Sequence, residues 1–428
     1  MEIEKTFSRL LELGGEWRML GVRFEEATRM FIMRVEETPE LWPAESLREG
    51  GSVSCYDHVE PLRWRHLNVF NCECVIECRL PRGKRVDGSV YRVTPPWEGK
   101  NKHFTKEFEA FALALMREMP VSRAGEILGE RDGRMWAMVH RHVEAARATV
   151  SMAGVRSVGV DEMSRRKGHD YVSVFADMEE RKVLYATGGR DAATWERFGE
   201  DFKVHGGEGE QIEEVSMDMS PAYLKGASEL CPQASVVYDK FHVVFNANEA
   251  VNKVRKLERK RGQAENCRQL EGTLWLFRKN PENWNERDWE RYERIDLESL
   301  RTGQAYSMRL ALQNIYEKAP GKIAARRRFK AWITWVRKAA ARAKDGLLIP
   351  MARLADMVER HLDGIVAYWN RRTTNAYMEA LNSVFSAVRR KARGYRTEFY
   401  LINMLYFVAG KLPIPMASYN AQPLQASH

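Results

Sequence analysis

Two aspartates, Asp161 and Asp218, each close a short run of apolar and β-branched residues. The runs are V-R-S-V-G-V-D at 155–161 and I-E-E-V-S-M-D at 212–218. Each predicts a strand that ends on its aspartate and is followed by a loop. If both strands lie in one sheet, their carboxyl ends meet at the rim where open α/β sheets carry their sites. Because close carboxylates repel each other without a cation, the pattern predicts a divalent-metal site. The alternative is that each aspartate ends a strand and caps the next turn.

A third carboxylate, Glu379, stands on a predicted helix that follows Asn375. Ala376, Glu379 and Ser383 lie on a single side of this helix. Asn382, three positions further, can orient the Glu379 carboxylate or contact DNA. The C-terminal half of the helix and the residues after it are strongly basic: Arg389, Arg390, Lys391 and Arg393. A lone helical glutamate is ordinarily a surface residue, but the position of this one after two strand-end aspartates favours a functional role.

Composition favours a polyanionic partner. The 428 residues carry 68 Lys and Arg against 59 Asp and Glu, a formal net charge of +9. Nucleic acid is favoured over a membrane surface, because no lipid anchor or basic amphipathic anchor helix is visible. The longest apolar runs, 108–116 and 400–410, are too short to span a bilayer. Residues 1–5 are charged and predict no secretory signal, so we expect a cytoplasmic protein.

The N-terminal third predicts two modules. Residues 1–98 open with a helix and continue as short apolar runs with Gly and Pro punctuation, which predicts a small β-rich module. Residues 99–150 change to helical periodicity, with a first helix stopping before Pro120, a second at 121–128 and a third from Asp132. This is the outline of a helix-turn-helix, in which Arg131, Asp132 and Arg134 open the recognition helix. Any three-helix bundle could give the same pattern.

Residues 151–246 alternate strand and helix. Runs at 171–176 and 182–187 flank a turn and predict an antiparallel hairpin that continues from the first strand. A crossover helix is expected at 192–202, and a second helix after Ser220, with Pro221 at its first position. A further strand at 234–238 ends on Asp239. Three antiparallel strands followed by helix, strand, helix and strand are an order familiar in one group of nucleases.

Residues 247–366 predict a helical, very basic region. Lys and Arg cluster at 253–261, and the triplet Arg326, Arg327 and Arg328 precedes Trp332 and Trp335. Basic side chains interleaved with aromatic ones suit a phosphate backbone with stacked bases. The alternative is a solvated helical face with the tryptophans in the region's own core.

Five stretches together resemble the DDE transposases of bacterial insertion sequences, in the ISL-three family. They are V-G-V-D-E at 158–162, M-D-M-S-P-A-Y at 217–223, Y-D-K-F-H at 238–242, T-N-A-Y-M-E-A-L-N at 374–382 and A-R-G-Y-R at 392–396. The resemblance implies an α/β ribonuclease-H-like core with an all-α insertion, preceded by a helix-turn-helix and a β-rich module. The implied divisions are 1–98, 99–150, 151–246, 247–366, 367–412 with the final Glu-bearing and C-terminal helices, and a tail at 413–428.

The resemblance also implies a mechanism. Asp161, Asp218 and Glu379 are expected to hold two Mg²⁺ or Mn²⁺ ions, with Asp161 bridging both, for DNA cleavage followed by strand transfer. Asp239 and His242 are expected to support these acids or to contact DNA, as are Asn375 and Asn382. The residues expected to bind DNA are Arg131, Arg134, Arg389, Arg390, Lys391, Arg393 and Arg396.

The expected partners are the terminal inverted repeats and target DNA, with a homodimer assembled on the DNA and association with the nucleoid when active. A catalytically silent DNA-binding protein and a structure-specific nuclease that cannot join strands are the alternatives.

The N-terminal module departs from the family pattern of zinc ligands. At the corresponding positions stand Ser46, Glu49, Arg85 and Asp87, which are poor zinc ligands as a set. Cys55, Cys72, Cys74 and Cys78 are an alternative ligand set. However, no pair has Cys-x-x-Cys spacing, and reduced thiols are the expected state, so we expect no bound zinc.

Overall fold

The computed structural model describes residues 2–166, 170–261, 268–371, 376–392 and 394–416. Contacts divide the chain into two compact units, one of residues 1–150 with 389–428 and one of residues 151–388. No helix within these described ranges is long and apolar enough to cross a membrane.

The first unit opens with a helix and two small sheets. After α1 (Glu2–Leu10), strands β1 (Trp17–Glu25), β2 (Met30–Glu37), β4 (Leu62–Val69) and β5 (Cys72–Cys78) form a sheet of order β1-β2-β5-β4. Helix α2 (Leu41–Arg48) precedes a second sheet of β3 (Val53–His58), β6 (Pro81–Arg85) and β7 (Val90–Arg92). Three buried indoles, Trp17, Trp64 and Trp97, meet edge to face in the core, with ring centroids 5.0 and 5.8 Å apart. Aromatic burial of this kind supplies a small module with most of its apolar core.

Three helices follow where the periodicity predicted them. They are α3 (Lys106–Glu118), α4 (Val121–Leu128) and α5 (Asp132–Arg147). Pro120 separates the first two, since its ring disfavours a helical residue before it, and Gly129 ends the second in a left-handed conformation with φ 71°. Phe104 precedes α3 and forms an isolated β-bridge with Arg65. The last described helix of the chain, α15 (Glu398–Ala409), packs on α5, where Tyr400 stacks on Trp136 at 4.4 Å.

The second unit contains a five-stranded sheet of order β10-β9-β8-β11-β12. Its strands are β8 (Ser157–Arg166), β9 (Asp170–Asp177), β10 (Lys182–Gly188), β11 (Glu214–Met217) and β12 (Ser235–Tyr238). The first three pair antiparallel, and β11 pairs parallel with both β8 and β12. Helices α6 (Ala193–Val204) and α7 (Pro221–Leu230) make the crossovers. The predicted hairpin, crossover helix and final strand are therefore confirmed. Ser220 occupies the N-cap position of α7, but its side chain makes no capping hydrogen bond.

One strand prediction is wrong at its end. Asp161 does not close its strand, because β8 continues to Arg166 and pairs with β9 along this extension. The antiparallel hairpin satisfies the backbone of residues beyond Asp161, which no local sequence signal reveals. Parallel pairing with β11, however, has its last partners at Gly159 and Ser216. Asp161 therefore lies just past the end of the parallel part of the sheet.

Helices complete the second unit. They are α8 (Lys240–Arg261), α9 (Glu286–Glu293), α10 (Arg301–Lys318), α11 (Lys322–Arg342), α12 (Ile349–Arg360), α13 (Leu362–Arg371) and α14 (Ala376–Lys391). The predicted helical region is thus confirmed over most of the described part of 247–366, but residues 270–285 form turns and two short 3-10 helices, Leu276–Arg278 and Pro281–Asn283. Trp332 is buried and its indole N–H donates to the Met308 carbonyl at 2.8 Å, whereas Trp335 is exposed. Trp332 therefore belongs to the core of this region.

Candidate metal centre

The sheet register brings Asp161 and Asp218 to the same level of neighbouring strands. Ser216 pairs with Gly159 in parallel register, and each aspartate stands two residues further along its strand. The Asp218 carboxylate accepts the next backbone amide, from Met219, at 2.6 Å, and Asp161 accepts that of Glu162 at 2.8 Å. Both carboxylates are thus held at the carboxyl ends of the parallel strands, where sites of open α/β sheets form.

Helix α14 lies across the face of β8 that carries Asp161. Gly159 and Asp161 share this face, because side chains two apart in a strand point the same way. The Met378 sulfur would be only 3.1 Å from a Cβ built on Gly159. One helical turn after Met378, the Asn382 amide donates to Asp161 at 2.6 Å. Two side chains of α14 therefore contact alternate residues of β8.

This placement also locates the backbone of Glu379 on the helix segment that faces β8. Glu379 lies between Met378 and Asn382 in α14, and residues three apart on a helix are neighbours. The Glu379 side chain itself lies outside the described residues, as does Asn375. The structure thus brings Asp161, Asp218 and Asn382 together, and it gives Asn382 an aspartate partner that the sequence did not indicate.

Burial removes part of the solvation of the Asp161 carboxylate. Burial raises the pKa of its carboxyl, although the hydrogen bonds from Asn382 and the Glu162 amide and the nearby His242 act in the opposite direction. A divalent cation would supply the missing stabilisation of the carboxylate. Its oxygens are hard ligands of the kind that Mg²⁺ and Mn²⁺ prefer. The donor set therefore fits such an ion, with Asp161 and Asp218 as the described ligands.

No complete ligand set can be seen within the described ranges. Among those residues, no three side chains of His, Cys, Asp or Glu are grouped so as to hold a metal. The third predicted carboxylate, that of Glu379, is outside them.

Asp239 and His242 lie beside Asp218. The His242 ring stands between two aspartates, with Nδ1 3.5 Å from Asp218 Oδ1 and Nε2 3.9 Å from Asp239 Oδ2. Asp239 is buried and accepts the Phe241 amide at 2.9 Å, which fixes the start of α8. His242 is therefore positioned to hold the orientation of the Asp218 carboxylate.

Sequence reasoning missed Glu162 and Arg190. Burial raises the pKa of the Glu162 carboxyl, as do the charges of Asp161 and Asp218, while Arg190 at 3.9 Å opposes the shift. Arg190 also lies over the ring of Tyr171 at 4.4 Å. The position of Glu162 directly after Asp161 was a sequence signal that it lies near the site. Arg190 gave no such signal, because it lies in a loop 29 residues after Asp161 in the sequence.

The residues expected to bind DNA have different surroundings. Arg131 precedes α5, and Arg134 in its first turn pairs with Glu130 at 2.7 Å and lies over the Phe104 ring. Arg389 and Arg390 occupy the last turns of α14, and Arg396 precedes α15. Arg393 and the Lys391 side chain lie outside the described residues. The intramolecular partners of Arg134 hold its side chain against the protein.

The positions aligned with zinc ligands make other contacts. Arg85 donates to Glu49 at 2.6 Å and lies over the Tyr91 ring, while Ser46 accepts the Val53 amide at 2.9 Å. Asp87 accepts the Ser89 amide in the loop that joins β6 to β7.

The cysteines nearby are in apolar surroundings. Cys72, Cys74 and Cys78 are buried. Burial raises the pKa of Cys74 to about 11 and that of Cys78 to about 12. Without a metal nearby, both side chains are therefore protonated thiols.

Comparison with known proteins agrees with this geometry. A family model described as "Transposase", of the DDE type and the ISL-three group, matches residues 158–405, more than half of the chain. The chain is 27% identical over 402 residues to the transposase for insertion sequence element IS1557 of Mycobacterium tuberculosis, which covers 86% of each chain. It is 26% identical over 414 residues to the transposase for element IS1001 of Bordetella parapertussis, with 92% of this chain and 96% of that one covered. The chain therefore belongs to the ISL-three family of DDE transposases.

Proposed function

We propose that this protein binds the ends of an insertion sequence and performs metal-dependent DNA cleavage and strand transfer with Asp161, Asp218 and Glu379. The observation that carries the proposal is the hydrogen bond from Asn382 to Asp161, which joins residues 221 positions apart. It fixes the Glu379-bearing helix over the strand that presents the first acid.

The chemistry follows from what each side chain can do. The three carboxylates offer hard oxygen ligands, Asn382 orients the first of them, and His242 holds the second. Two bound Mg²⁺ ions would supply an activated water and stabilise charge on the attacking and leaving oxygens. The reaction is hydrolysis of one phosphodiester at the element end, followed by attack of the freed 3′-hydroxyl on a phosphodiester of the target.

The surrounding elements support the same proposal. The sheet order, three antiparallel strands followed by two parallel ones, supports a ribonuclease-H-like core interrupted by the helices between β12 and α14. Helices α3 to α5 have the lengths and breaks of a helix-turn-helix, for which Arg131 is the candidate DNA contact at the start of α5. Joining two element ends requires two copies of such a site, so we propose a homodimer on the DNA.

A strand-transfer assay tests the function. The full chain is incubated with Mg²⁺, supercoiled plasmid and a duplex that carries the DNA bordering the coding sequence and ends in a 3′-hydroxyl. Covalent joining of the duplex to the plasmid is the expected result. Cleavage without joining would identify a nuclease instead, and binding without either reaction would identify a silent DNA-binding protein.

Asn382→Ala is expected to raise the Mg²⁺ concentration needed for half-maximal cleavage by about 10- to 100-fold, the usual effect of removing a residue that orients a metal ligand. The physical reason is that Asp161 loses the amide donor that fixes one of its oxygens. The measurement is a Mg²⁺ titration of the cleavage rate.

Ser383→Ala is the matched control for this substitution, since Ser383 is the exposed neighbour on the same helix. An equal Mg²⁺ requirement in both variants would show that Asn382 does not orient the ligand.

A further inference from the structure

A basic cavity lies along the open edge of the five-stranded sheet in the second unit. It has a volume of about 350 Å³, within the range of ligand pockets. Strand β12, the last in the sheet order, forms one wall through Ser235, Val236 and Tyr238. The opposite wall is made by the start of α11 and by the junction of α12 with α13.

Positive charge dominates the lining. Lys322, Arg326 and Arg360 face a single carboxylate, that of Asp363, which pairs with Arg326 at 2.6 Å. In the part of the chain that the structure describes, no acidic side chain lies within ion-pair distance of Lys322 or Arg360. Arg360 makes a long hydrogen bond, 3.4 Å, to the Asp356 carbonyl. Two exposed cations of the cavity are therefore available to an anion.

The first turn of α11 adds to this potential. Its N-cap is Gly321, which provides no side-chain acceptor, and the amino end of a helix carries partial positive charge. Lys322 and Arg326 stand on this first stretch of the helix and line the cavity.

The cavity adjoins the candidate metal centre. Tyr238, which lines it, directly precedes Asp239, and its ring meets that of His361 at 5.0 Å. Burial and the charge of Arg360 lower the pKa of His361, which also lines the cavity. The negative charge of Asp218 acts in the opposite direction, so Asp218 is close to this ring. Gly364 permits the approach, since a Cβ there would lie 2.5 Å from the Tyr238 ring. A phosphodiester strand at the acids thus has a basic cavity beside it.

We infer that this cavity binds a backbone phosphate of the DNA strand next to the one being cut, through Lys322, Arg360 and the Arg326 side chain. The inference rests on the proposed function. Ammonium and guanidinium groups bind phosphate oxygens strongly, and a strand in the carboxylate site needs positive charge beside it to offset the repulsion between acids and phosphates. The ion pair between Asp363 and Arg326 limits how strongly Arg326 can contribute to phosphate binding.

The test measures binding without chemistry. Anisotropy of a fluorescent duplex of mixed sequence is followed with the full chain in EDTA over a range of salt. Removing one cation that neutralises a phosphate lowers the slope of log K against log salt by about 0.9. The double variant Lys322→Ala with Arg360→Ala is expected to lower the slope by about 1 to 2 and the affinity at about 0.1 M salt by about 10- to 60-fold.

Removing a negative charge from the lining is expected to tighten DNA binding. Asp363→Asn releases Arg326 and removes the one negative charge of the lining, so we expect up to about eightfold tighter binding at about 0.1 M salt. The Asp363 side chain is 90% exposed, so its folding role is small. Asp345→Asn is the matched control, because Asp345 also pairs with an arginine, Arg301, at 2.7 Å, and neither residue lines the cavity.

Lys338→Ala with Arg342→Ala, at the far end of α11, controls for the loss of two charges, and circular dichroism checks folding. If this control pair and the cavity pair weaken binding equally, or if neither does, the inference is overturned while the function stands. If the wild-type chain neither binds the duplex nor joins strands, the proposed function fails as well. Tighter binding by Asp363→Asn but not by Asp345→Asn supports the inference independently.

Discussion

Asp161→Asn, Asp218→Asn and Glu379→Gln are each expected to lower the rates of cleavage and strand transfer by about a thousandfold or more, with DNA binding in EDTA unchanged. Each substitution keeps the shape of the side chain and removes one anionic ligand. Loss of a single electrostatic group at a reaction centre already lowers the catalytic rate by about 100- to 1,000-fold. A ligand of the metal ions would affect the stabilisation of both the attacking and the leaving oxygen. The measurement is the single-turnover rate of each step.

Glu213→Gln is the matched control for this series. Glu213 precedes the opposite end of β11, where it pairs with Arg156 at 3.1 Å and its side chain is 47% exposed. We expect wild-type rates from it. Any acid variant that still joins strands at the control rate does not belong to the metal-binding set.

Glu109→Ala is expected to destabilise the first unit by about 3 kcal/mol or more, because three hydrogen bonds to its buried carboxylate are lost. The Glu109 carboxylate is 2% exposed and accepts the amides of Lys100 and Asn101 at 2.9 and 2.7 Å. It also contacts the buried His142 ring on α5 at 2.8 Å. Alanine leaves these groups without a partner, and each unpaired buried donor costs about 1–3 kcal/mol.

Native-state hydrogen exchange of the α3 and α5 amides measures this effect locally, which suits a chain of two units. Glu107→Ala is the control, because Glu107 lies on the same helix with its side chain 50% exposed. A change within about 0.5 kcal/mol is expected for such a surface site. Equal protection in the two variants would contradict the role assigned to Glu109.

The Glu109 contacts also hold α3 against α5. One carboxylate ties α3 to the loop that leaves the β-rich module and to the middle of α5. Because a buried acid is stable only with such partners, its position between three segments fixes their geometry. Weaker binding of the element end by Glu109→Ala, with an unchanged cleavage rate at saturating DNA, would connect this stability to end recognition.

Much of the fold followed from periodicity alone. Pro120 and Gly129 set the limits of α3 and α4, since proline restricts the residue before it and glycine tolerates positive φ. The apolar runs that precede Asp218 and Asp239 predicted β11 and β12 to within two residues. The limits of these helices and strands depend on local backbone preference and on side-chain alternation. Both can be read from residues that are neighbours in the sequence.

Tertiary structure decided the extent of β8 and the partner of Asn382. The strand continues past Asp161 because β9 pairs with it, and that pairing is a property of the hairpin. Asn382 was expected to serve Glu379 or DNA, yet it donates to Asp161, because Met378 fixes α14 above Gly159. The cavity beside the acids also depends on assembly, since its cations come from α11 and α12 and its other wall from β12.

The sequence by itself thus determined which residue types could bind a cation and which elements carry them. The sequence contains carboxylates at positions 161, 218 and 379. Side-chain alternation or helical spacing assigns each of them to a strand or a helix. The placement of Asp161 beside Asp218, and of the Glu379-bearing helix over β8, required burial of the sheet's face beneath α14 and the register of β8 with β11. Those are contacts between residues up to 221 positions apart, and their free energy arises only when the whole unit folds.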